Sequence, residues 1–180
     1  MENLEDKLKK VRLIVSDVDG VLTDGKIYLS EGCGEIKVFS AKDAIRIEVA
    51  VKSGIKMLLI TARKGPGVMR RAEELGADIV FKQDLQQENL SLLTEVKRKF
   101  NIEPEEILYV GDDWNDLYSM KQVGVSATPA NGSSENREIA DIVTEVKGGE
   151  GVVSELVEKV MRAQGTWEQY SKEYLSKLMY

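Results

Sequence analysis

Apolar residues along this chain fall into short blocks, and their spacing alternates between strand-like runs and helical stripes. Residues 11–16 form an apolar run that ends on Asp17, the pattern of a buried strand carrying carboxylates at its C-terminal end. Two short β-like runs, 26–29 and 35–39, flank a Gly-containing turn around Cys33 and predict a hairpin. From Asp43 the spacing turns helical. Ala44, Ile47 and Val51 share a face, and Gly54 ends the segment. A second buried strand is predicted over 55–61. A helix opened by Pro66 and stopped at Gly76 follows, then a third strand over 78–81. The remaining pattern predicts a helix over 85–100, a break at Pro104 and a strand over 107–110. Beyond these come a helix to about residue 123, short β-like pieces at 125–127 and 142–143, and a helix over 151–162.

Strands alternating with helices imply an α/β fold with a doubly wound, mostly parallel sheet. Such sheets bind ligands at the carboxyl ends of their strands. Asp17, Thr61 and Asp112 each stand at or just past a strand end, so they are expected to converge on one rim. Residues 1–164, with the hairpin 26–39, read as one domain. Residues 165–180 differ in character: Thr166 and Gln169 have capping-box spacing, and Trp167, Tyr170, Tyr174 and Leu178 form one helical stripe. A helix this short is marginal alone in water, so the stripe should pack on its own core or on a neighbouring subunit.

Composition narrows the chemistry. The 180 residues carry a net charge of −6, which argues against a nucleic-acid partner. The cluster Lys97-Arg98-Lys99 reads as a solvated helix face. No apolar stretch is long enough to span a bilayer, and the charged N-terminus is unlike a signal peptide, so a cytoplasmic location is expected. The single cysteine rules out an intrachain disulfide. Histidine is absent altogether. That removes Ser-His-Asp and Cys-His catalysis and every His-ligated metal site. A bound metal must then be a hard ion taking oxygen ligands, which favours Mg²⁺.

Asp17 and Asp19, one residue apart at a strand end, can divide nucleophile and acid–base roles or hold a divalent cation. Taken alone, Asp-x-Asp is better read as a polar turn. The second acidic cluster, Asp112, Asp113 and Asp116, shifts the balance. Carboxylates from different strands meeting on one rim repel unless a cation intervenes, and folding does not require them there. A metal site that neutralises charge on a transferring phosphoryl group explains the arrangement. Thr61 can donate to a phosphate oxygen, and Arg63 can bind an anion in bidentate fashion.

The stretch from Asp17 to Gly25, DVDGVLTDG, resembles the first motif of the haloacid dehalogenase superfamily, in the extended form of the 3-deoxy-D-manno-octulosonate 8-phosphate phosphatase family. Ile60-Thr61-Ala62-Arg63 resembles the second motif, and the run from Gly111 to Asp116, GDDWND, the fourth. Lys42-Asp43 and the run 148–151 also match, in order along nearly the whole chain. The resemblance implies a HAD-type, Rossmann-like domain with the hairpin as a small flap and no large cap domain. It implies Asp17 as the nucleophile forming a phosphoaspartate and Asp19 as the acid–base. It further implies Mg²⁺ on Asp17, the Asp19 carbonyl and Asp112, with Asp113 and Asp116 in support. Thr61, with Arg63 and Asp43, would bind the phosphorylated sugar acid. A homotetramer whose neighbouring subunits and C-terminal segments help close the site is also implied.

The chain departs from the family pattern in two ways. The third-motif lysine has no counterpart, since counting back from Gly111 reaches Asn89 and counting forward from Gly76 reaches Gln87. Lys82, at the end of the third strand, is the candidate to replace it. Ala44 and Arg46 stand where the family has glycines, and Ser154 where it has an arginine. The expected activity is therefore Mg²⁺-dependent hydrolysis of a small phosphorylated sugar acid. A nonulosonate 9-phosphate or another sugar phosphate is the alternative substrate. A weakly active or non-catalytic oligomeric scaffold is the rival from another class.

Overall fold

A computed structural model describes residues 2–32, 34–88 and 90–178. Cys33 and Asn89, singled out in the sequence as a turn residue and as one position for the missing lysine, lie outside the described residues. Helix α1 (Leu4–Lys10) leads into β1 (Leu13–Asp17), and an irregular helical turn, Val18–Leu22, follows directly. A hairpin of β2 (Tyr28–Ser30) and β3 (Gly34–Ile36) comes next, then α2 (Lys42–Ser53), β4 (Lys56–Thr61), α3 (Pro66–Leu75) and β5 (Asp78–Phe81). The chain continues through α4 (Lys82–Gln87), α5 (Leu92–Phe100), β6 (Ile107–Val110), α6 (Leu117–Met120) and β7 (Val125–Thr128). It ends with α7 (Ser134–Ile139), β8 (Ile142–Val143), α8 (Val152–Ala163) and α9 (Trp167–Lys177).

The main sheet is parallel throughout, in the order β5-β4-β1-β6-β7-β8. The chain starts in the middle, winds out to β5, and returns to the other side of β1 at β6. That reversal between β1 and β6 is the switch point where such sheets open a crevice. The central strands are fully buried because helices cover both faces. Ile14 joins the core beneath α2 and α8, while Leu13 and Val15 point the opposite way, into the core beneath α5.

Several boundaries differ from the sequence reading. The expected helix over 85–100 is two helices, because Ser91 starts α5 afresh by accepting the Thr94 N–H. The helix after Asp113 is shorter, a 3₁₀ turn at Trp114–Asp116 followed by one turn of α6. Helices α1 and α7 have no counterpart in the expectation; each is started by a side-chain cap, Asn3 to the Asp6 N–H and Ser133 to the Asn136 N–H. Thr166 makes no capping box. Its backbone is already helical and its hydroxyl donates back to the Met161 carbonyl. Helix α9 lies on α2 and α8, with Trp167, Tyr170 and Tyr174 against the core and Leu178 exposed. No helix among the described residues is long and apolar enough to cross a membrane.

Candidate active site

Strand register builds the site. Asp17 pairs in register with Ile60, so Thr61 stands one residue beyond it on β4. Thr61 in turn pairs with Phe81, which puts Lys82 just past the end of β5. On the other side Ser16 pairs with Val110, and Gly111-Asp112 continues past β6. The sheet thus delivers Asp17, Thr61, Lys82 and Asp112 to one rim, from four adjacent strands.

Oxygens of Asp17, Asp112 and Asp116 lie within 4.8 Å of one another. Asp116 is completely buried and held on both oxygens. Oδ1 accepts from the Tyr109 hydroxyl at 2.7 Å, and Lys82 Nζ sits 3.2 Å from it. Oδ2 accepts from the Asp112 N–H at 3.1 Å and the Asp113 N–H at 3.5 Å. Asp116 thereby fixes the Asp112–Asp113 loop, leaving Asp17 and Asp112 as the carboxylates with coordination capacity. Lys82 Nζ is 3.3 Å from Asp17 Oδ1, so one ammonium bridges the β1 and β6 carboxylates.

This single cation does not balance the cluster. Burial, and then the Asp116 charge, push the Asp17 carboxyl up to about 8 even against Lys82. Burial together with Asp116 and Asp113 pushes Asp112 up to about 7. Burial works against the Lys82 ammonium, but Asp17 and Asp116 outweigh it and hold its pKa above the ordinary value. Burial and mutual repulsion disfavour the charged carboxylates here, and a hard divalent cation opposes both, so the donor set fits Mg²⁺.

The loop carrying Asp19 is packed as tightly. Gly20 has φ +99°, and a Cβ there would meet Asp112 Oδ2 at 1.9 Å, so the backbone passes directly over the acidic cluster. Gly148 presses on the same loop; a Cβ would lie 1.9 Å from the Gly20 carbonyl oxygen. Thr23 Oγ1 ties the loop by accepting from the Gly20 and Gly25 N–H groups. The run 148–151 is tied to this loop directly, its Gly149 N–H donating to the Val21 carbonyl at 2.9 Å, and the Gly148 N–H donates to Asn131 Oδ1 at 2.9 Å.

The remaining expected residues divide. Thr61 is buried, and its Oγ1 accepts from the Arg63 N–H at 3.0 Å, which leaves the hydroxyl proton to donate. Arg63 is turned to the hairpin, its guanidinium 2.8 Å from Glu35. Asp43 is committed to the first turn of α8 and not to the carboxylate cluster; burial raises its carboxyl pKa. Asp113 starts the 3₁₀ turn by accepting the Trp114 N–H. Asp19 is ion-paired with Lys37 of the hairpin. Lys37, Glu35 and Tyr109 were not singled out by sequence reasoning. The signal available for the first two was their i, i+2 spacing, which puts both on one side of an extended segment. For Tyr109 it was a polar atom in a fully buried strand, which needs a partner.

Known proteins resemble this chain in sequence and in fold. Residues 90–156 match the model of a haloacid dehalogenase-like hydrolase family. The 3-deoxy-D-manno-octulosonate 8-phosphate phosphatase KdsC of Salmonella typhi is 37% identical over 163 residues, covering 91% of this chain and 86% of the relative. The chain belongs to this phosphatase family. It is therefore a phosphoric monoester hydrolase of the haloacid dehalogenase type. The family enzyme of Escherichia coli K12 is 36% identical over the same shares. Among solved structures, the family member from Moraxella catarrhalis, in complex with magnesium ion, phosphate ion and KDO, superposes with a TM-score of 0.86. It is 32% identical, over 94% of this chain and 97% of that one. The Yersinia pestis enzyme gives 0.84 at 32% identity, over 92% and 88%.

Proposed function

We propose that this phosphatase hydrolyses 3-deoxy-D-manno-octulosonate 8-phosphate, with Asp17 as nucleophile and Asp19 as acid–base. The observation that carries the reading is the seat of Lys82 between Asp17 and Asp116, which supplies the positive charge that the absent third-motif lysine would give. An Asp17 oxygen attacks phosphorus and the sugar oxygen leaves, taking a proton from Asp19. Asp19 then accepts a proton from the water that attacks the phosphoaspartate, which returns Asp17 and releases phosphate. Lys82 offsets the charge that builds between Asp17 and the phosphoryl oxygens, and the Thr61 hydroxyl donates to one of them. Mg²⁺ held by Asp17, Asp112 and the Asp19 carbonyl, with Asp116 behind, would neutralise further phosphoryl charge.

The residues that depart from the family pattern have structural partners here. Ser154 bonds Asp43 and the Lys42 carbonyl; Arg46 lies 3.5 Å from Glu158 and over the Trp167 ring. These contacts join α2, α8 and α9, which gives the departing residues a packing role in this chain. A nonulosonate 9-phosphate remains the comparison substrate. We further infer a homotetramer. Its support is the hairpin, which exposes Ile27, Leu29, Ile36 and Val38. The test is phosphate release from both sugar phosphates with and without Mg²⁺. Faster Mg²⁺-dependent release from the octulosonate supports the assignment, and preference for the nonulosonate rejects it.

A further inference from the structure

We propose that Lys37, on the hairpin, is the positioning residue of the acid–base carboxylate Asp19, and that Glu35 and Arg63 hold it there. The proposal rests on the phosphatase reading above. Lys37 Nζ is ion-paired with Asp19 Oδ1 and lies 2.7 Å from Glu35 Oε1, while Glu35 Oε2 is 2.8 Å from the Arg63 guanidinium. The chain Asp19–Lys37–Glu35–Arg63 runs from the loop after β1, through the hairpin, to the loop after β4. The Lys37 pair is the only side-chain hydrogen bond to Asp19 among the described residues.

The pattern on the hairpin is inverted. Glu35 and Lys37 alternate with Ile36 and Val38, so charged residues share one side and apolar residues the other. The Lys37 side chain is only 9% exposed, whereas Ile36 and Val38 are 50% and 59% exposed. A strand that merely covered the domain would turn its apolar side inward. Lysine is also a poor choice for burial, since it loses more rotamer freedom than most side chains and must shed its water. Lys37 is held inward by two carboxylates, and one of them is the acid–base group. Asp19 needs such a hold because its own backbone gives little. Its φ/ψ of −85°/109° breaks the helical turn, beside Gly20.

An acid–base carboxylate must meet the leaving oxygen at hydrogen-bond distance, so loosening it costs most where the leaving group most needs a proton. An alkyl phosphate such as a sugar phosphate needs that proton; p-nitrophenyl phosphate leaves as a stabilised phenolate and needs it far less. The test measures kcat/KM for both substrates, with Mg²⁺, in wild type, Lys37→Met, Lys37→Arg and Glu35→Gln. In Lys37→Met the ratio of sugar phosphate to p-nitrophenyl phosphate should fall by at least ~10-fold, with partial recovery in Lys37→Arg and a smaller fall in Glu35→Gln. An equal loss on both substrates would reduce Lys37 to a clasp for the hairpin, and no loss on either would remove it from the reaction; both overturn the proposal. Glu35→Gln keeps the proposal falsifiable if Lys37→Met does not fold. Wild-type protein inactive on both substrates would instead sink the phosphatase reading itself.

Discussion

At the scale of single residues, the site is a problem of charge. Asp17, Asp112 and Asp116 crowd one rim and Lys82 is the ammonium that touches two of them. Replacing Lys82 by Ala should lower kcat/KM by ~10²-fold or more, the usual effect of removing one electrostatic contact to a transition state. Unchanged kinetics would show that the positive charge comes from elsewhere. The raised carboxyls also set a pH dependence. Asp17 at about 8 and Asp112 at about 7 bind protons more tightly in the folded chain than in the unfolded one, where carboxylates titrate near ~4. The metal-free protein should therefore lose stability as pH rises from about 4 to about 8, since ionising either group sets unbalanced charges together. Added Mg²⁺ should raise Tm more at the alkaline end of that window than at the acid end. An equal rise throughout would show that the ion does not bind these carboxylates. Lys82 was legible in the sequence because the strand 78–81 places it at a rim. Lys37 was not, because a lysine in a short hairpin strand has the look of a solvated edge residue.

At the scale of elements, parallel register does most of the positioning, and the loop 18–25 does the rest. Gly20→Ala would drive a Cβ to 1.9 Å from Asp112 Oδ2 at a φ of +99°, so it should abolish both turnover and the Mg²⁺-induced Tm shift. An alanine variant that keeps the shift would mean that the loop can relax away from Asp112. The central strands could be read from apolar runs because both their faces are covered. The short helices α1 and α7 could not, since one side-chain cap and a few residues give too little period to detect. The split between α4 and α5 was hidden for a related reason: helix-compatible residues continue through it, and only the Ser91 cap shows the restart. Asp43 is a different case. Its match to the family pattern put it among the expected substrate-binding residues, and what the sequence did not show is that one of its oxygens ties α2 to the start of α8.

At the scale of the whole molecule, the chain reverses direction across the sheet between β1 and β6, and the acidic cluster sits at that reversal. The fold class followed from alternation of strands and helices. The contacts that join distant segments, such as Asp43 with α8 or Arg63 with the hairpin, did not, because no local pattern encodes them. Helix α9 is part of the same packing. Deleting residues 165–180 should lower the denaturant midpoint by uncovering the core beneath Trp167, Tyr170 and Tyr174, while the Mg²⁺-induced Tm shift persists. Loss of the shift would tie the tail to the site directly. Attack of Asp17 on phosphorus, as proposed, leaves a phosphoryl group on the protein, which intact-mass analysis of acid-quenched protein during Mg²⁺-dependent turnover of 3-deoxy-D-manno-octulosonate 8-phosphate would detect. One transient phosphoryl adduct is expected, mapped to Asp17 and absent from Asp17→Asn, which should also be inert. Full turnover by Asp17→Asn, or an adduct on another residue, would contradict it.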